Sequence, residues 1–286
     1  MYILQKAFVF IVGSCVGSFL NVCILRLPKS ESVITPRSYC PHCKKQILWY
    51  DNIPFLSYLL LKGKCRFCEG KISFRYFLIE LITAFSFLLT FLYFGLGFKF
   101  FFYSILFSLL IVASFIDIDL RIIPDSVSVT GILTGLILSF FYSIYRIGDF
   151  PNLAIFDSFH GAIAGAGVCF LTAVIFNFFF FVVLDNFYRR VLKKEFYLKK
   201  EFSPDEEPTV IGGGDIYLMA LIGAFLGFRL TLLSFFIAPF LGVIVGLVNL
   251  LRKRSHLIPY GPFLSLGAVV SIFWGDKIIL SLVGRF

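Results

Sequence analysis

Charge is what this sequence has least of. Only 15% of its 286 residues are Asp, Glu, Lys or Arg, against 59% hydrophobic residues that include 39 Phe. So few polar side chains cannot cover that much apolar surface in water. The scarcity therefore excludes a soluble fold and places the chain in a bilayer. A cleavage pattern is also missing. The apolar run after Lys6 contains Val12-Gly13-Ser14-Cys15 but no small-x-small close, and it ends in Asn21 and Arg26. That run is expected to stay as a first helix and not to act as a processed signal. No internal repeat is visible.

A spanning helix takes roughly 20 mainly apolar residues. Eight such stretches are predicted, at 4–25, 76–96, 99–117, 126–145, 155–184, 215–228, 230–251 and 263–283. The sixth is too short to cross comfortably, which suggests an incomplete or tilted span. The expected fold class is thus an all-α polytopic membrane protein with a small cytoplasmic insertion. Three parts follow: a first transmembrane helix at 1–25, a soluble segment at 26–75 and a membrane core at 76–286. The core carries a polar loop at 185–210 that ends in Ser203-Pro204-Asp205-Glu206-Glu207-Pro208, a composition that resists regular structure. Gly161, Gly165 and Gly167 lie along the fifth helix at small-residue spacing, where close helix packing is the expected role.

The net charge of +9 could suggest nucleic acid, but its placement argues against that partner. Segment 26–75 holds ten Lys or Arg against three acids, and the loop 185–210 and the run Arg252-Lys253-Arg254 add more. With Arg121, twenty of the 26 basic residues fall in alternate loops. Basic loops remain cytoplasmic. Both termini are therefore expected outside and the basic loops inside, where they can also hold anionic lipid.

Four of the seven cysteines form two CxxC pairs, Cys40/Cys43 and Cys65/Cys68, separated by 21 residues. Each pair can turn two thiolates onto one ion, and two pairs complete a tetrahedral site. Lys44, Lys45, Lys64 and Arg66 would offset the charge of a tetrathiolate zinc. The alternative is two disulfides, which a reducing cytoplasmic location disfavours. A closed four-cysteine set leaves no position for water, so the metal is expected to be structural. His42 lies within the first pair and is an alternative ligand. Cys15, Cys23 and Cys169 are expected to be buried packing residues.

Carboxylates near hydrocarbon are costly and usually functional. Asp117 lies where the third helix runs into Ile118-Asp119-Leu120-Arg121-Ile122-Ile123-Pro124-Asp125, and Asp215 opens the sixth after Gly212-Gly213-Gly214. The topology brings both to the cytoplasmic face. Two aspartates sharing a site cannot both ionise readily, so one holds a proton while the other can accept one from water. That suits peptide hydrolysis without a covalent intermediate. The three glycines would let a substrate backbone approach Asp215 and would permit positive φ angles. Asp119 cannot share a helix face with Asp117, and Asp125 suits a helix N-terminus. Asp215 also has a plain alternative as a helix-terminal acid. Periodicity leaves Glu80 undecided, and Asp157 and Asp276 are expected to be solvated on the outer side.

These motifs together resemble the type IV prepilin leader peptidases, aspartic peptidases with a GxGD motif. The resemblance runs through Gly17-Ser18-Phe19-Leu20-Asn21 and Arg26-Leu27-Pro28, the Cys40–Cys68 stretch with Trp49-Tyr50-Asp51-Asn52-Ile53-Pro54, and Arg75-Tyr76 with Glu80-Leu81. It continues through Asp117, Gly212-Gly213-Gly214-Asp215 and Ile258-Pro259-Tyr260-Gly261-Pro262-Phe263. It implies a bacterial inner-membrane endopeptidase with Asp117 and Asp215 as catalytic residues, acting on precursors of type IV pilins or type II secretion pseudopilins. Such substrates carry a short basic leader, a Gly before the cut and a long apolar helix. The resemblance also implies methyl transfer from S-adenosylmethionine to the freed N-terminus, with no residue marked as binding the donor. Two departures stand out: Tyr217 replaces a customary Lys two positions after Asp215, and the 185–210 loop is long. A transporter or a zinc-bearing scaffold would explain the helices and acids, but not the cysteine pairs together with the glycine-flanked aspartate. Oligomeric state is open.

Overall fold

The computed structural model describes residues 2–145, 154–179, 212–251 and 258–284. The expected loop at 185–210, the last residues of the fifth predicted helix and the Arg252-Lys253-Arg254 run lie outside them. Among the described residues the chain is almost wholly helical. The helices are α1 (Tyr2–Arg26), a short α2 (Leu56–Leu60), α3 (Phe74–Phe94), α4 (Phe98–Leu120), α5 (Asp125–Tyr145), α6 (Ile155–Asn177), α7 (Gly213–Leu251) and α8 (Gly261–Val283). All but α2 are long and apolar enough to cross a membrane.

The boundaries have local causes. Ser73 caps α3 by accepting the Arg75 N–H, and Gly95 ends it with φ 70°. Arg121 closes α4 in a left-handed conformation, its N–H on the Asp117 carbonyl. Pro124 then precedes α5, and Pro262 sits in the first turn of α8.

Seven long runs contain eight spans. A straight 39-residue α7 would be about 58 Å long, nearly twice the hydrocarbon thickness. The run is broken at Gly227, whose φ of 73° and ψ of 177° are not helical. A Cβ placed on Gly165 of α6 would touch both Met219, before the break, and Thr231, after it. Helix geometry puts residues so separated about 18 Å apart, so the chain turns back at Gly227. The first arm, 213–226, is the short sixth span expected from sequence. From Leu218 to Leu226 it is buried throughout. A span shorter than the bilayer is tolerable there because protein surrounds it.

Gly161 and Gly165 pack directly on the backbone of this arm, whereas Gly167 faces open space and has no such role. Asp157 differs from expectation too: its carboxylate accepts the Phe228 N–H at 3.3 Å, capping the second arm. Asp276 is exposed, as expected. On the other side of the core, Gly13 and Gly17 of α1 lie against Ala84 and Glu80 of α3. Asn21, one turn further on, donates to the Tyr76 carbonyl at 3.1 Å. Cys23 and Cys169 are buried, but Cys15 is exposed on the outward side of α1 and is not a packing residue.

Candidate active site and metal centre

The end of α4, the start of α7 and the start of α8 meet at one end of the bundle. Asp117 is 5% exposed, and its Oδ2 accepts the backbone N–H of Gly261 at 2.8 Å. A Cβ on Gly261 would lie 2.7 Å from that oxygen and 3.3 Å from Ile123 Cδ1, so only glycine fits without moving the carboxylate. Ile123 in turn is the neighbour of Gly214, where a Cβ would stand 3.0 Å from Ile123 Cβ. The next residue is Asp215, partly exposed, which accepts the Gly212 N–H at 3.3 Å. Ile123 thus stands between the Gly261 that holds Asp117 and the Gly214 that precedes Asp215, which brings the two aspartates to the same end of the bundle. Nearby, Ser114 of α4 donates to Ser265 of α8 at 2.9 Å, tying the two helices one turn into the bundle.

The Tyr260 phenol also borders this site. Burial pushes its pKa up, with Cys169 and Asp215 adding to the effect. Neither Tyr260 nor Gly261 carried a signal of a direct role in the sequence beyond the family motif. Gly212 and Gly213 are exposed and meet no crowding side chain, which keeps a path to Asp215 open. They do not take positive φ: among the described glycines only Gly63, Gly95 and Gly227 do. The glycines here supply space, because α7 already starts at Gly213. Tyr217, in place of the customary Lys, is 47% exposed on the first turn of α7.

The other acids sort themselves clearly. Asp119 is exposed and ion-paired with Arg75 of α3, on the side of α4 away from Asp117. Asp125 is an exposed acid in the first turn of α5. Glu80 is buried and accepts the Phe55 N–H at 3.0 Å, joining α3 to the soluble lobe. Phe55 has φ 61°, a strained conformation that this bond helps to hold.

In the lobe at 26–75, the Sγ atoms of Cys40, Cys43, Cys65 and Cys68 all lie within 4.8 Å of one another. Cys40–Cys68 and Cys43–Cys65 are 3.8 and 4.0 Å apart. A disulfide needs about 2.05 Å, whereas a tetrahedral zinc with 2.3 Å bonds places sulfurs about 3.8 Å apart. The four thiols therefore fit a metal and not two disulfides. The two pairs are built alike. Lys44 N–H donates to the Cys40 carbonyl at 2.9 Å and Glu69 N–H to that of Cys65 at 3.0 Å, and both donors have positive φ. This local duplication is not visible as a sequence repeat. His42 points elsewhere, its Nε2 3.1 Å from the Lys71 carbonyl. Arg66 forms a two-pronged pair with Asp51 at 2.6 and 2.8 Å.

A cavity of about 500 Å³ separates this lobe from α1 and α3. Its wall includes Ser18, Asn21, Arg26, Tyr76 and Glu80, of which Asn21, Arg26 and Glu80 are buried. Arg26 donates to the carbonyls of Ser32 and Pro36 at 2.8 and 2.7 Å.

Residues 11–94 match the bacterial peptidase A24 N-terminal domain, and residues 104–247 match the type IV leader peptidase family. A prepilin leader peptidase/N-methyltransferase of Bacillus subtilis is 31% identical, with 94% of each chain covered. A type 4 prepilin-like proteins leader peptide-processing enzyme of Escherichia coli is 33% identical, with 91% of each covered. A prepilin leader peptidase/N-methyltransferase of Myxococcus xanthus is 38% identical over 87% of this chain, which spans 64% of that protein's length. No solved structure matches at a significant level. With a family model matching half of its residues and relatives above 30% identity along nearly the whole length, the chain is a member of the type IV leader peptidase family.

Proposed function

We propose that this protein is a multi-pass endopeptidase of the bacterial inner membrane that removes the basic leader from type IV prepilins or type II secretion pseudopilins. Asp117 and Asp215 are its catalytic residues. The observation that carries this reading is that two helices far apart in sequence bring them to the same end of the bundle, on either side of Ile123. A water held by the pair loses a proton to one carboxylate and attacks the carbonyl of the leader's final Gly. The other carboxylate gives a proton to the departing amine. Exposed Gly212 and Gly213 let the substrate backbone reach Asp215, and Gly214 brings Asp215 against the Ile123 turn. The basic loops keep this face toward the cytoplasm. Lateral access from lipid lets the substrate's apolar helix stay in the membrane while its leader remains in water.

Cys40, Cys43, Cys65 and Cys68 hold a structural zinc, and the lobe at 26–75 folds around it as its own unit. The same protein methylates the new N-terminus, for which S-adenosylmethionine supplies the methyl group. The cavity beside the lobe has the size and the mixed polar lining of a small-molecule site. Ser18, Asn21, Arg26, Tyr76 and Glu80 would hold the donor there. Nucleic acid has no part in this reading, and anionic lipid is the partner of the basic loops.

The test is to incubate the purified protein in lipid nanodiscs with a prepilin and weigh the product. Loss of the leader without the methyl donor, and loss plus one methyl with it, are expected. An intact precursor, with several leaders tried and the protein folded, would favour a transporter or scaffold instead.

A further inference from the structure

The back of the turn that carries Asp117 is held from outside. Arg75, in the first turn of α3, reaches across to the end of α4. Its Nη2 donates to the Phe115 carbonyl at 3.2 Å, its Nη1 pairs with the Asp119 carboxylate, and its guanidinium stacks 5.4 Å from the Phe115 ring. Residues 115 and 119 are one helical turn apart on one face, and residue 117 projects to the opposite face. The contacts agree: Phe115 and Asp119 meet Arg75, while Asp117 meets Gly261.

We infer that Arg75 and Asp119 are positioning residues for the peptidase, which clamp the last turn of α4 so that Asp117 is presented at a fixed angle to Asp215. The inference rests on Asp117 being catalytic. The carbonyls of the last turn of α4 lack partners within the helix, so its end frays unless something holds it; Arg75 holds that turn at the Asp119 side chain and anchors it one turn earlier at the Phe115 carbonyl. A displacement of about 1 Å at a reacting group can cost about a hundredfold in rate. The pair is 28% and 36% exposed, so its charge attraction alone contributes little. What it supplies is geometry, through the planar fork that lets one arginine grip a carbonyl and a carboxylate together. Arg75 is itself fixed by Ser73, which accepts its N–H at 3.3 Å just after the second cysteine pair.

The experiment compares prepilin cleavage by Arg75→Gln, Arg75→Lys, Asp119→Asn and the Arg75→Gln/Asp119→Asn double variant, purified in nanodiscs, with thermal midpoint and zinc content measured beside it. Arg75→Gln and Asp119→Asn are each expected to lower kcat about tenfold with KM within about twofold. The double variant should be no slower than the slower single one, because both changes release one clamp. Arg75→Lys, which keeps the charge but not the fork, should fall between. Asp119 is exposed, so its variant keeps the fold testable if Arg75→Gln does not fold. A kcat for Asp119→Asn within about twofold of the parent would overturn the inference, as would additive losses or losses that only track the folded fraction. Asp117→Ala, run alongside, separates the two readings. If it still cleaves, the catalytic role of Asp117 fails and the clamp inference with it; if it is inert while the clamp variants are unaffected, only the clamp fails.

Discussion

In the proposed mechanism Asp117 depends on a backbone group. The Gly261 N–H donates to one carboxylate oxygen, and a Cβ at residue 261 would sit 2.7 Å from that oxygen. Gly261→Ala should therefore displace the carboxylate and lower kcat about a hundredfold while the protein still folds. A kinetic assay with a thermal midpoint beside it checks this, and a parental rate would show the contact to be incidental. Both aspartates stand out in the sequence as candidates because a carboxylate at the edge of hydrocarbon is costly enough to need a reason. The Gly261 tie was not, since a sequence marks side chains and says nothing of where a backbone N–H points. Glu80 was undecided for a related cause. Its partner is the N–H of Phe55, set in place by a turn of unusual φ.

The first arm of α7 organises the element scale. It carries Asp215 at its exposed end and is buried from Leu218 to Leu226, so its position is set by neighbours and not by lipid. Two features hold it: the turn at Gly227 and the close approach of Gly161 and Gly165. Alanine at Gly227 would adopt a conformation that costs on the order of 1–3 kcal/mol. Gly227→Ala and Gly161→Leu should both lower the thermal midpoint in detergent, and Gly167→Leu, facing open space, should leave it unchanged. Equal midpoints for all three would remove the packing argument. Sequence periodicity found the eight spans and even the shortness of the sixth, because hydropathy counts apolar residues. It did not separate Gly167 from its neighbours, since spacing alone cannot tell which helix face meets another helix.

At the scale of the whole molecule, a water-exposed lobe and a membrane bundle share α1 and α3 but are stabilised differently. The lobe's short α2 and irregular chain offer little hydrophobic core, so the four thiols must organise it. Cys40→Ser should lower bound zinc below one ion per chain and make the lobe sensitive to protease, with the spanning helices intact. Full zinc content in that variant would count against the four-cysteine site. The cysteine pairing was legible from spacing, whereas the likeness of the two backbone turns around Cys40 and Cys65 was hidden. Apart from the cysteines, the hydrogen bonds and the positive-φ donors repeat but the residues do not.

The most direct measurement is leader removal by the parent, Asp117→Ala, Asp215→Ala and the double variant, each in nanodiscs at matched folded concentration and read by intact mass. Complete cleavage by the parent is expected, with none by either single variant and no further loss in the double, as for residues that act as one unit. Cleavage at near the parental rate by either single variant would take that aspartate out of the mechanism and the shared site with it.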